Sequence, residues 1–366
     1  MKYIRRTLAV LTAAAVLVLT GCSAMLERSF TSVTPHNSAP TAEGDPSVLR
    51  ADSYQELVNA LIYLVNAGAQ EGTIRLYLDP EELEGDLEAA CLEVVQEDPL
   101  GAYAVEHIKY SVSSLVPYDE ARVSLTYRRT PEQIASIVQA TGVTAIRTEL
   151  AAALSAFDSE CVLRISYFDG DEDFIRDLAA QAYYSVPVCA LGMPQLDIQI
   201  YPDSGLQRIV EILLTYPLDS AELSRRARQV ELWLEELTAP LADRQGDALL
   251  SGAARAILAA GTCTPEGGSA AYALMEDGLA DSEGFALALA ALGERLGLSC
   301  QVARGTLGDQ PHFWNVVRTS DGWRHLDLSA LAEGTLLFYT DQELSQLGYL
   351  WDADSLPPCG PSEGEG

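Results

Sequence analysis

Asp281-Ser282-Glu283-Gly284-Phe285-Ala286, Pro311-His312-Phe313-Trp314-Asn315 and Trp323-Arg324-His325-Leu326-Asp327 follow one another in a single stretch. The first motif opens a helix whose apolar stripe runs through Leu287, Ala290, Ala291 and Leu292 to Leu296, with Gly297 to end it. A strand from Cys300 to Leu307 comes next, then a strand carrying His312, a turn within Thr319 to Gly322, and a strand reaching Asp327. This order sets a side chain at a helix N-terminus, a histidine on one strand and an aspartate on the next. A nucleophile at a helix N-terminus gains from the dipole and from backbone N–H groups able to hold an oxyanion. A histidine could take its proton, and a carboxylate could orient that histidine. The hairpin register decides whether the last two meet. A turn of Asp321-Gly322 alone would set Val316 opposite Asp327, whereas a turn spanning Thr319 to Gly322 sets Trp314 there, with His312 on the neighbouring diagonal within reach.

Over roughly residues 245 to 355 this segment resembles the transglutaminase-like family, whose papain-like core places Cys at a helix start and His and Asp on adjacent strands. The family's Cys-Glu-Gly-Tyr-Ala looks like Ser282-Glu283-Gly284-Phe285-Ala286, its His-x-Trp-Asn like His312-Phe313-Trp314-Asn315, and its Trp-x-x-x-Asp like Trp323 to Asp327. The resemblance implies a Ser282, His312 and Asp327 triad, working or vestigial, with Tyr272 on the oxyanion side. The chain departs from the family at the nucleophile, where Ser282 replaces Cys. A thiol beside an imidazole is readily ionised, but a hydroxyl must lose its proton during attack, so the family's chemistry does not carry over as an activity. The plainer role for Ser282 is to cap its helix, and for His312 with Asp327 to persist as a structural pair. His312, His325 and Asp327 without supporting spacing do not make a metal site, and neither cofactor nor metal is expected.

Upstream, residues 52 to 235 read as a diverged duplication offset by about 89 residues. Ile74-Arg75-Leu76 matches Leu163-Arg164-Ile165, Val123 to Tyr127 matches Ile212 to Tyr216, and Thr130 to Ile134 matches Asp219 to Leu223. Each copy is expected to run α-β-α-β-β, with first helices from Tyr54 to Leu64 and from Pro131 to Leu154. The predicted organisation is therefore α+β. Module 1 covers 52–129, and module 2 with a connector helix opened by Asp219 and Glu222 covers 130–235. The transglutaminase-like domain covers 236–366.

The N-terminus carries Lys2, Arg5 and Arg6, an apolar run from Leu8 to Leu19, and Leu19-Thr20-Gly21-Cys22. The run is too short to span a bilayer and ends at a small-residue cleavage site, so it reads as a signal peptide over 1–21. The end resembles the lipobox of bacterial lipoproteins, which implies acylation of Cys22 and anchoring at the extracytoplasmic face of the cell membrane. Residues 22–51, rich in Ser, Thr, Pro and Ala, read as a flexible tether. A formal charge of −30 points away from nucleic acid. Cys91, Cys161, Cys189, Cys263, Cys300 and Cys359 show no Cys-x-x-Cys spacing. Disulfides joining Cys300 to Cys359 or Cys263 and free thiols are both open readings.

Two functions follow from these residues. One is a membrane-anchored, non-catalytic protein that binds a peptide, cell-wall fragment or protein partner, or serves as an envelope scaffold. The other is a Ser-His-Asp hydrolase of amide or ester bonds.

Overall fold

The computed structural model describes residues 41–42, 45–331 and 335–360. The expected signal peptide, Cys22 and the tether to residue 40 lie outside them. The described elements make an α+β protein. Among the described residues, no helix is long and apolar enough to cross a membrane.

The first repeat begins with β1 (Thr41–Ala42) and β2 (Asp45–Ala51), then α1 (Tyr54–Asn66), β3 (Glu71–Leu76), α2 (Leu83–Glu97), α3 (Pro99–Ala104), β4 (Val105–Leu115) and β5 (Tyr118–Tyr127). These strands form one sheet in the order β1-β2-β3-β5-β4. The end of the expected tether is therefore corrected, because Asp45–Ala51 is a strand that runs parallel to β3 with Leu49 opposite Ile74. Val48, Leu49 and Ala51 are buried. The strand begins with Asp45, Pro46 and Ser47, which continue the Pro- and Ser-rich composition of the stretch before it, and this is why composition hid it.

The second repeat holds α4 (Pro131–Ala135), β6 (Val138–Ala140), α5 (Gly142–Ala156), β7 (Glu160–Ile165), α6 (Glu172–Tyr184), β8 (Gln195–Tyr201) and β9 (Arg208–Thr215), with sheet order β6-β7-β9-β8. The helix expected from Pro131 to Leu154 is thus two helices with a strand between them. Gly142 takes φ +81°, a left-handed conformation that breaks the helix where β-branched Ile137 and Val138 favour extension. Glu160 of β7 lies 89 residues after Glu71 of β3, and the β2-β3-β5-β4 order recurs as β6-β7-β9-β8. The repeated unit accordingly carries an additional leading strand, β-α-β-α-β-β.

The rest of the chain comprises α7 (Ser220–Thr238), α8 (Gly246–Ala260), β10 (Thr262–Gly268), α9 (Ala271–Asp277), β11 (Leu279–Ala280) and α10 (Ser282–Arg295). It ends with β12 (Cys300–Leu307), β13 (Gln310–Thr319), β14 (Gly322–Leu326), α11 (Asp341–Gln346) and β15 (Tyr349–Trp351). The last four strands form an antiparallel sheet ordered β14-β13-β12-β15. α10 is buried on every side from Gly284 to Gly293 and packs against β12 and β13, so its alanines let backbone approach backbone. A Cβ on Gly284 would lie 2.6 Å from the Gly268 carbonyl oxygen, so no larger residue fits where this helix begins. The other side of the sheet packs Ala303, Trp314 and Val316 against Leu344, Tyr349 and Cys359.

By packing, the chain forms two compact units. One holds the described residues up to Ala145 with Arg164–Phe168 and Tyr201–Ile209; the other holds Ile146–Leu163, Asp169–Ile200 and the chain from Val210 onward. The boundaries expected at 129/130 and 235/236 follow the repeat, whereas the compact units divide the second copy.

The six cysteines among the described residues are free thiols. The expected pairing of Cys300 with Cys359 does not form, because Cys359 belongs to the cluster with Trp314. Cys300 sits against Gly293 of α10, on the opposite side of the sheet. Cys263 lies in β10 beside Ala280.

Candidate functional site

Asp281 is the cap of α10, its Oδ1 accepting the Gly284 N–H at 2.9 Å, and Ser282 is the first helical residue. The expectation that Ser282 caps the helix is corrected: the carboxylate before it takes that role and also accepts the Ser269 hydroxyl. Ser282 Oγ instead accepts the N–H of Phe313, at 3.3 Å, from β13. That bond brings the helix start beside the strand residue next to His312. Among the described residues, no hydrogen bond joins Ser282 to His312.

The hairpin register settles the other half of the arrangement. Thr319 pairs with Gly322 and Asn315 with Leu326, the register of the longer turn considered above. His312 Nε2 and Asp327 Oδ2 are 2.6 Å apart, and both side chains are largely buried. Asp327 is also bonded by Tyr349, whose hydroxyl donates to Oδ2 at 2.7 Å, and by Ser329, whose N–H and hydroxyl donate to Oδ1 at 2.8 and 2.6 Å. Burial pushes this carboxyl's pKa up, but the hydrogen bonds from His312, Ser329 and Tyr349 outweigh it and hold the pKa below the ordinary range. An ionised carboxylate has only acceptors, so His312 Nε2 must carry the proton it donates. In the neutral ring, Nδ1 then holds the lone pair.

Tyr272 lies in α9 with Arg226 stacked over its ring at 4.8 Å. No hydrogen bond links it to Ser282, His312 or Asp327 among the described residues. Its expected place on the oxyanion side rests on the resemblance alone.

Burial pushes the Cys263 thiol up to about 11, and the carboxylates of Asp327 and Asp281 add to the rise. Cys300 and Cys359 are each pushed up to about 12, by burial first. These shifts run opposite to those of an activated thiol, so no substitute for the missing nucleophile emerges from them.

A second His–Asp pair lies behind the first. The fully buried His325 accepts the Trp314 indole N–H on Nδ1 at 2.9 Å and meets Asp341 Oδ1 through Nε2 at 2.8 Å. Asp341 Oδ2 in turn accepts the Cys359 N–H at 2.8 Å. The ligand atoms of His325, Asp341 and Cys359 all lie within 4.8 Å of one another, as a metal site would require. The donor chemistry opposes one. Indole N–H only donates, so Nδ1 must accept and Nε2 must keep its proton, leaving no lone pair for an ion. Burial also lowers the His325 pKa, against the opposing pull of Asp341, so the ring favours its neutral form.

Glu283 is the titratable group that the motif reading passed over. Burial first, and then Asp281, push its carboxyl up to about 7, although the Tyr184 hydroxyl donates to it at 3.1 Å. The Tyr184 ring stands 5.7 Å from that of Phe313. A carboxyl raised in this way stabilises the fold fully below its unfolded value of about 4.3, and that contribution is lost as pH rises through about 7. Glu283→Gln keeps the shape and an acceptor for Tyr184 without the charge. It is expected to exceed the parent chain in stability at pH 8 by about 1–2 kcal/mol after allowance for partial exposure. Urea unfolding of both proteins at pH 5 and pH 8 checks this; parallel pH responses would refute it.

Ser329 carried a local signal, since Asp-x-Ser favours a turn in which the carboxylate accepts the N–H two residues on. Tyr349 and Tyr184 carried none, because each reaches the site from a remote element.

No protein-family model matches this chain, and no curated protein matches it. Among solved structures, a crystal structure of a TGase is similar over 58% of this chain, with a TM-score of 0.28 and 12% identity. The chain spans about 62% of that structure's length. Likeness at this level specifies neither a reaction nor a substrate.

Proposed function

We propose that this chain is an exported lipoprotein, anchored at the extracytoplasmic face through lipid on Cys22. In this reading its transglutaminase-like C-terminal part binds a peptide, cell-wall fragment or protein partner beside His312, or acts as an envelope scaffold, without cutting or joining bonds. The sequence of the first 22 residues supports the anchor, and the three ordered motifs support the domain. The observation that carries the non-catalytic reading is the state of Ser282. A hydroxyl stands where the family has a thiol, and it accepts the Phe313 N–H rather than meeting His312. Without a base on its proton, a hydroxyl is a poor nucleophile.

The second reading, a Ser-His-Asp hydrolase of amide or ester bonds, draws on the 2.6 Å His312–Asp327 contact, which points Nε2 at the carboxylate and leaves Nδ1 for a substrate or hydroxyl. Treating the full-length protein in detergent with a fluorophosphonate serine probe separates the two. Binding without catalysis predicts no adduct by intact mass. An adduct present in the parent and missing in Ser282→Ala would establish the hydrolase and overturn the non-catalytic reading.

A further inference from the structure

β12 pairs with β13 along its whole length, but with β15 only from Gly305 to Leu307. No strand covers the outer edge of Cys300–Arg304 among the described residues. A groove of about 640 Å³ follows that edge. Ser299 and Gln301 line it from one face of the sheet, and Cys300, Val302 and Arg304 line it from the other. Alternate residues of a strand point to opposite faces, so a groove that meets both sets runs along the edge itself. Arg147 and Tyr184 stand on one side and Leu356 on the other.

The charged lining is Arg147, Arg304 and Glu294, two cations to one anion in a chain of formal charge −30. Arg147 donates one N–H to Gln181 at 3.3 Å, and Arg304 lies 3.9 Å from Asp177. Each guanidinium has five N–H donors, so both retain capacity for a ligand carboxylate.

We propose that this groove binds an extended acidic peptide segment, which adds a strand to β12 between Cys300 and Arg304 and sets its carboxylates on Arg147 and Arg304. Main-chain bonds to the open edge would supply affinity, and the two arginines the preference for acidic side chains. About five extended residues, some 16 Å of chain, match the uncovered edge. This surface is separate from the His312–Asp327 pair, so the proposal stands or falls independently of the chemistry at Ser282.

The test uses the full-length protein in detergent and a fluorescein-labelled Glu-Val-Glu-Val-Glu peptide, read by anisotropy. Expected are saturable binding and an affinity at least tenfold above that of Lys-Val-Lys-Val-Lys. Arg147→Gln with Arg304→Gln should cost tenfold or more; both side chains are exposed, so the fold tolerates the change. Backbone N-methylation of the peptide should abolish binding, and bound peptide should slow amide exchange in residues 299–304. Equal affinity for the basic peptide, an N-methylated peptide that still binds, or unchanged exchange in 299–304 would overturn the proposal. So would self-association of the chain that the peptide fails to compete, since the edge would then belong to a second copy.

Discussion

Trp314→Ala is expected to destabilise the unit containing residues 210–360 by about 3–5 kcal/mol, the usual cost of emptying a buried indole site. Trp314 is 1% exposed and lies within 6.3 Å, centroid to centroid, of His312, His325, Tyr349 and Trp351. Its removal leaves a void on the sheet face opposite α10 and strips His325 Nδ1 of its donor. Trp314→Phe restores most of the volume but not the N–H, and should fall between the two, which separates packing from hydrogen bonding. Urea midpoints followed by far-UV circular dichroism measure all three chains. A loss under about 1 kcal/mol for the alanine variant would show that the cluster can collapse around the gap, and that the indole does not organise it.

The same residue shows how much of the molecule was legible in the sequence. The run from Asp281 to Asp327 places α10, β12, β13 and β14 because each has the period of its own structure, and a glycine or a turn marks each end. The duplication was readable too, since an offset of 89 residues survives in elements whose cores must match. What escaped was short or remote. β6 has only three residues and β2 opens with Asp45, Pro46 and Ser47, so each is held by a neighbour in the sheet rather than announced by its own pattern.

At the site, the sequence could name His312 and Asp327 but not whether they touch, because two turns differing by two residues set either Val316 or Trp314 opposite Asp327. Cross-strand geometry decides it, and β13 with β14 takes the register that brings them to 2.6 Å. The second pair, His325 with Asp341, joins residues 16 apart through a bridge between His325 and Tyr339, for which no spacing rule exists. In the sequence Ser282 and Asp281 are equally suited to cap the helix, because serine and aspartate both serve there. The carboxylate one residue earlier is the one whose geometry reaches the Gly284 N–H.

Asp327→Asn is expected to cost about 2–4 kcal/mol at pH 7, and the reason lies in the count of donors. Four donors converge on its two oxygens: His312 Nε2–H and the Tyr349 hydroxyl on Oδ2, and the Ser329 N–H and hydroxyl on Oδ1. An amide of the same shape offers one oxygen, so whichever way it is turned, its NH2 faces two donors. Leaving buried donors unpaired costs about 1–3 kcal/mol each, less than additively when they can rotate away. The pH dependence gives a signature that a merely misfolded variant would lack. A carboxyl whose folded pKa is held below its unfolded value adds stability that is complete above about 4 and lost as pH falls through the folded pKa. The gap between parent and Asp327→Asn should therefore be widest near neutrality and narrow progressively on acidification below about pH 4. Chemical unfolding from pH 7 to pH 3 measures it. A gap that stays constant across that range would mean that Asp327 titrates alike in the folded and unfolded chain, and that the hydrogen bonds around it do not favour the charge.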